Sequence, residues 1–239
     1  MTGSPGSPGT HRHTAVPTMR HLMGEERWQR LIDTAHPRTH SAGATLLRQH
    51  EPGTHVLALR SGVAKVLLRE QGGGLTLLAF RGPGELLGEV AVLDGGGRSA
   101  GVLAITPCAV SVIDRAAFLR LADEEELSPL LIRYALGRLR ESDTARGGGD
   151  VTPRLAAALV QLAEMDGEQP AGGAGPRDLA LTRNELAQYL GVSRNTVTTA
   201  LAELGPARVR TGRGRVHIGD LQALRTAAAP AWTGGQRGV

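Results

Sequence analysis

Residues 181–204 read LTRNELAQYLGVSRNTVTTALAEL. Thr182-Arg183-Asn184-Glu185 fits a capping box, a hydroxyl at the N-cap with a carboxylate three residues on. The helix it opens turns Leu186, Ala187 and Leu190 inward, and Gly191 permits a tight turn. Ser193 then caps a second helix in which Val197, Ala200, Leu201 and Leu204 share a face. Helix, short glycine turn, helix is the helix-turn-helix pattern. The outward residues of the second helix's first turns are Arg194, Asn195, Thr198 and Thr199. These are the types a major-groove edge requires: Arg for guanine, Asn for adenine, Thr for a thymine methyl or a phosphate. Arg183, at the mouth of the first helix, is placed for a backbone phosphate.

Immediately downstream, residues 207–210, 211–214 and 215–218 read as strand, turn, strand. This is a wing with Arg208, Arg210, Arg213 and Arg215 near its tip. The candidate DNA contacts are therefore Thr182, Arg183, Ser193, Arg194, Asn195, Thr198, Thr199, Arg213 and Arg215. An ordinary helical hairpin with solvated arginines is the competing reading; turn residue, helix lengths and basic hairpin in series disfavour it. Charge distribution agrees. From Arg177 to Arg237 nine arginines face four acids, whereas residues 84–150 hold eleven acids and seven arginines. A basic module behind an acidic middle suggests a polyanion partner, with a merely solvated basic tail as the alternative.

Upstream the texture is different. Between Ala44 and Ile113 short apolar runs (ATLLRQ, HVLALRSGVAKVLLRE, LTLLAF, AGVLAIT, CAVSVID) alternate with turn clusters (EPGT, QGGG, RGPGE, DGGG, TP). Short strands at roughly ten-residue spacing indicate a sandwich or jelly-roll barrel. Before it, Gly24 to Ala35 places Trp28, Leu31 and Ile32 on one helical face, and Pro37 is expected to end that helix. After it, Asp114 is expected to cap a helix through Leu121. Ser128-Pro129 opens a longer one in which Ile132, Ala135, Leu136, Leu139 and Ser142 form a stripe suited to a partner helix. Gly147-Gly148-Gly149 stops it. The expected fold class is α+β: a jelly-roll effector domain over 21–127, a dimerisation helix and hinge over 128–150, and a winged helix-turn-helix over 151–228. Tails at 1–20 (disordered) and 229–239 (flexible) complete the division.

Composition sets the outer limits. With 41% hydrophobic residues and only 3% aromatic, the core must be aliphatic. No run approaches a membrane span, and Met1 to Thr10 lacks the apolar segment of a secretory signal, so a cytoplasmic protein is expected. One cysteine, Cys108, excludes a disulfide framework, a four-cysteine iron–sulfur site and a zinc ribbon. The eight histidines lack ligand spacing on a shared element, and no nucleophile–base pair or P-loop appears, so the chain does not read as an enzyme.

A second chemistry lies at residues 84–100, GELLGEVAVLDGGGRSA. Glu89, a glycine-rich turn and Arg98 nine residues further suit a small phosphorylated ligand. The arginine supplies a bidentate contact to a phosphodiester, and Ser99 with the amides around Ala100 completes an anion nest. Glu89 would accept from a sugar hydroxyl. On the residues alone, an Arg–Glu ion pair holding a loop is the more economical explanation.

Taken together, GELLGEVAVLDGGGRSA and LTRNELAQYLGVSRNTVTTALAEL resemble the phosphate-binding cassette and the helix-turn-helix of CRP/FNR (catabolite activator) family transcription regulators. The resemblance covers residues 24–228. It implies cAMP as effector, with Glu89 on the ribose 2′-hydroxyl and Arg98 and Ser99 on the phosphate, flanked by Gly88, Val90 and Ala100. The family's adenine-contacting pair on the dimer helix has its best counterpart in Ser142-Asp143. Double-stranded DNA, a second copy of the chain and RNA polymerase are the implied partners. Asp143 replaces a hydroxyl or amide; Asn195 and Thr199 stand where the best-known member has Glu and Arg, implying a different half-site. Two other readings remain: a ligand-independent regulator with a vestigial pocket, and a cyclic-nucleotide regulatory subunit docking on a protein.

Overall fold

The computed structural model describes residues 16–145, 149–165, 177–207 and 209–228. Eight strands build two four-stranded antiparallel sheets. One has the order β1 (His36–His40), β8 (Cys108–Asp114), β3 (His55–Ser61), β6 (Leu86–Leu87). The other runs β2 (Thr45–Leu47), β7 (Gly101–Ala104), β4 (Ala64–Arg69), β5 (Leu75–Arg81). The expected jelly roll is thus present, and β3 shows why its sequence is apolar throughout. Val56 and Ala58 face a cluster under the helices, while Leu57 and Leu59 face the space between the sheets. Successive side chains point to opposite faces, and here both faces are covered.

Strand β5 departs from strict alternation. Its register with β4 jumps from Val66↔Ala79 to Leu67↔Leu77, so Leu78 is the extra residue of a bulge. The inserted residue brings Leu77 and Phe80, three apart, to the same face, where both are buried against the C-terminal module.

Helices close one flank of the barrel: α1 (Met19–Met23), α2 (Glu25–Asp33), α4 (Arg115–Glu124) and α5 (Ser128–Ala145). The short α3 (Glu89–Leu93) lies within the cassette. Three local expectations are corrected. The disordered tail does not extend to residue 20, because Met19 is fully buried and Thr18 caps α1 by accepting from the His21 amide. Pro37 does not merely end a helix; it sits in β1, an edge strand, where a missing N–H is tolerated. Asp114 stands at the N-cap of α4 without a capping hydrogen bond, and that helix continues to Glu124.

The C-terminal module comprises α6 (Val151–Met165), β9 (Arg177–Leu179), α7 (Arg183–Leu190), α8 (Arg194–Glu203), the β10–β11 hairpin (Arg210–Gly212, Arg215–Ile218) and α9 (Leu221–Ala228). Strand β9 pairs with β11 to make a three-stranded sheet, a short element that three residues of sequence did not announce. Helix α5 is described as far as Ala145; residues 146–148, which bear on how it stops, lie outside the described residues, as does the 166–176 connection. Among the described residues, no helix is long and apolar enough to cross a membrane.

Candidate functional site

A cavity of about 270 Å³ opens between the cassette, the inner face of the second sheet and α5. Gly88, Glu89, Val90, Arg98, Ser99 and Ala100 all line it, joined by apolar Leu47, Val66 and Val102. Small size, an apolar wall and a few convergent polar groups are the attributes of a site for a small ligand.

The geometry explains the glycine. Gly88 has φ +81°, and a Cβ there would lie 2.1 Å from a guanidinium nitrogen of Arg98. Only glycine lets the arginine lie against this turn. Arg98 is 3% exposed and donates to the carbonyls of Gly88 and His55, each at 2.5 Å. It makes no ion pair with Glu89 among the described residues, so the loop is not held by the Arg–Glu pair that sequence alone favours. Burial lowers the Arg98 pKa, with Glu89 partly opposing. Burial raises the pKa of the Glu89 carboxyl. Arg98 and Glu89 both line the cavity, and the guanidinium spends its hydrogen bonds on carbonyls rather than on that carboxyl group. Downstream, Asp94 accepts from the Gly96 amide at 2.8 Å, shaping the turn that returns the chain to Arg98. Ser99 is exposed and Ala100 partly buried. A cyclic phosphodiester fits this donor set: a guanidinium and a hydroxyl for the anion, a carboxylate for sugar hydroxyls.

The contribution of α5 differs from expectation. Helix α5 reaches the cavity through Ala135 and Arg138. Ser142 lies two turns beyond Ala135 on the same stripe and does not line the cavity; the Asp143 side chain lies outside the described residues. Sequence reasoning missed a buried network behind the cavity. Arg138 pairs with Glu85 and Glu141, each at 2.9 Å, and Arg81 pairs with Glu141 at 3.1 Å. The Tyr134 hydroxyl donates to Glu85 and to the Leu86 carbonyl. Arg81 and Arg138 also line the cavity, and the Arg138 Nε is buried without a partner. The Arg138/Glu141 spacing on one helix face was the available signal. Arg81 and Glu85 come from the β5–β6 region, far along the chain, and carried none.

The second candidate surface is α8 with its surroundings. Thr182 accepts from the Glu185 amide while Glu185 accepts from the Thr182 amide at 2.8 Å, the reciprocal capping box. Gly191 ends α7 in the left-handed region at φ +67°, and Ser193 caps α8 by accepting from the Thr196 amide at 3.1 Å. Leu186, Ala187, Leu190, Val197, Ala200, Leu201 and Leu204 are buried, which turns Arg194, Asn195, Thr198 and Thr199 to solvent. The hydroxyls of Thr198 and Thr199 donate back to the carbonyls of Arg194 and Asn195. Their outward surface is therefore methyl and acceptor. Arg213 and Arg215 are exposed at the hairpin turn, Arg183 is partly buried, and Arg208 lies outside the described residues. Among the described residues, no group of three or more His, Cys, Asp or Glu could hold a metal ion.

Comparison with known proteins gives matches over both regions. The cyclic nucleotide-binding domain family matches residues 37–125, and the Crp-like helix-turn-helix domain family matches residues 153–227. A CRP-like cAMP-activated global transcriptional regulator of Mycobacterium tuberculosis is 36% identical over 165 residues, 67% of this chain and 73% of its own length. The cyclic AMP receptor protein of Thermus thermophilus is 32% identical over 202 residues, covering 80% and 87%. Among solved structures, a Thermus thermophilus transcriptional regulator of the CRP/FNR family superposes with a TM-score of 0.57 at 25% identity, covering 81% of this chain and 98% of that one. A solved structure from Ruegeria pomeroyi shares the fold, with a TM-score of 0.63 at 22% identity and coverage of 87% and 91%.

Proposed function

The chain belongs to the CRP/FNR family of transcription regulators, with a cyclic nucleotide-binding domain and a Crp-like helix-turn-helix, and from that premise we propose that cAMP is its effector and a pseudo-palindromic operator its target. The observation that carries the reading is the cavity itself: Arg98 and Ser99 beside Glu89, with the arginine not neutralised by the glutamate. Arg98 and Ser99 would hold the phosphate and Glu89 the ribose, while Gly88, Val90 and Ala100 shape the turn around them. The purine would extend toward Ala135 and Arg138, with Ser142 and Asp143 approaching from further along α5.

Ile132, Leu136 and Leu139 are 60%, 49% and 62% exposed along one stripe of α5. Three large apolar side chains at three- and four-residue spacing on an exposed helix face supply a seam for a second copy. A two-fold dimer through this seam presents two α8 helices, which must sit about 34 Å apart to enter successive major grooves. Arg194, Asn195, Thr198 and Thr199 would read base edges; Thr182, Arg183, Ser193, Arg213 and Arg215 would position the module on phosphates. RNA polymerase is the further partner this reading carries.

Calorimetric titration of cAMP into the native protein and into Arg98→Ala tests it, with sedimentation measured on the same samples. A dimer that releases heat with cAMP, and loses that heat in the variant, supports the reading. Equal heats in both would remove the phosphate role from Arg98, and no heat in either would favour the vestigial-pocket regulator.

A further inference from the structure

Strand β5 has two functional faces. Phe80 faces the C-terminal module and packs on Tyr189 of α7, with ring centroids 4.6 Å apart. Its neighbour Arg81 faces the other side of the sheet, lines the cavity and pairs with Glu141 of α5. Adjacent strand residues point oppositely, so one strand touches the effector cavity, the dimer helix and the helix-turn-helix.

The contact with α7 is polar as well as apolar. Strand β5 is the outer strand of its sheet. The carboxamide of Gln188 occupies the place of a further strand: it accepts from the Leu77 amide at 3.1 Å and donates to the Leu75 carbonyl. On the neighbouring strand β4 stands Lys65, the single lysine of the chain and 8% exposed. Its ammonium donates to Glu185 Oε1 at 2.6 Å and to the Ala180 carbonyl at 3.0 Å. The other oxygen of Glu185 is the one that closes the capping box on Thr182. The buried lysine thus grips the carboxylate that defines the start of α7, next to Arg183. Gly82 adds space for Met165 at the end of α6, whose Cγ would lie 2.9 Å from a Cβ there. None of these contacts covers Arg194, Asn195, Thr198 or Thr199, which remain exposed.

We propose that Lys65 and Gln188 form an interdomain latch that fixes the helix-turn-helix to strands β4 and β5, so that a displacement of β5 at the cavity carries α7 and α8 with it. The latch sets the pose of the DNA-reading face and leaves that face open. Its role in transmitting occupancy of the cavity rests on the effector reading above; its mechanical role does not. Isolated surface ion pairs contribute little, but this lysine has left water and both its partners belong to the other module.

The test uses the full chain and the double variant Lys65→Met/Gln188→Ala, which leaves Glu185 and its capping box intact. Scanning calorimetry of the native protein is expected to show the two modules unfolding in one cooperative transition, and of the variant to show two. One transition in both, or two in both, would overturn the latch. Operator affinity is then measured with and without cAMP. Couplings of this kind are about 5–150-fold, and the native ratio is expected to fall close to unity in the variant while cAMP affinity is retained. A ratio equal to the native one would overturn the transmission role. If the native protein shows no response to cAMP, the effector reading fails, and the calorimetric result still decides the latch.

Discussion

The cavity and the proposed DNA-reading face are both rich in arginine, and they treat that charge in opposite ways. Inside the cavity every guanidinium is already engaged: Arg98 on two carbonyls, Arg81 and Arg138 on Glu141 and Glu85. On α8 and the hairpin, Arg194, Arg213 and Arg215 stand in solvent. A ligand entering the cavity must therefore exchange bonds, and each exchange frees a protein group to rearrange. DNA meets cations that give up only water and counterions. The first arrangement is the one the proposed switch requires, since a ligand shifts an equilibrium only through contacts that differ between states. The second is that of a solvated electrostatic surface, for which the logarithm of affinity falls linearly with the logarithm of salt concentration.

The largest effect expected on the DNA face comes from removing its duplication. Leu136→Glu places a charge in the exposed α5 seam and should yield a monomer by sedimentation, with operator affinity falling by about 10²–10⁴ as bivalent engagement is lost. Arg194→Ala acts on one contact per half-site. It should cost about 1–3 kcal/mol per half-site in binding assays and relax selectivity at one base position. The wing variant Arg213→Ala should instead weaken all sequences alike and flatten the salt slope by about 0.9 for each phosphate left without its arginine.

The cavity offers a pH test that the DNA face lacks. Burial raises the Glu89 pKa, so in the free protein its contribution to stability is present below the unfolded value and is lost as pH rises through the folded value. The ionised form accepts from sugar hydroxyls on both oxygens and more strongly than the neutral acid. Affinity for cAMP should thus fall as pH drops through the raised pKa, by up to about tenfold per pH unit, and Glu89→Gln should flatten that dependence in calorimetric titrations. The smallest effect is local. Thr182→Ala removes the α7 cap and should lower stability by about 1 kcal/mol in denaturant unfolding.

The two regions also differed in how far they could be read from sequence. The helix-turn-helix is specified within 24 contiguous residues, 181–204, by caps, a left-handed glycine and a 3.6-residue apolar period, all local signals. The cassette was legible for the same reason, since Gly88, Glu89, Arg98 and Ser99 lie within one turn-rich segment. Arg81, Glu85, Tyr134, Arg138 and Glu141 were not, because they meet only when α5 packs across β5 and β6, an arrangement set by the whole barrel. Strand β1 (HPRTH) carried no apolar alternation, because as an edge strand most of its side chains are exposed. Helix α1 hid in a polar tail, although Thr18 followed by Met19, Leu22 and Met23 has the cap and spacing of one turn.

On the proposed function, what occupies the cavity decides how the recognition helices meet DNA. The most direct measurement is the affinity of the native protein and of Arg98→Ala for one operator fragment, at fixed salt, with and without saturating cAMP. At least about a fivefold change is expected for the native protein and none for the variant. Identical affinities in the presence and absence of cAMP for the native protein would contradict it.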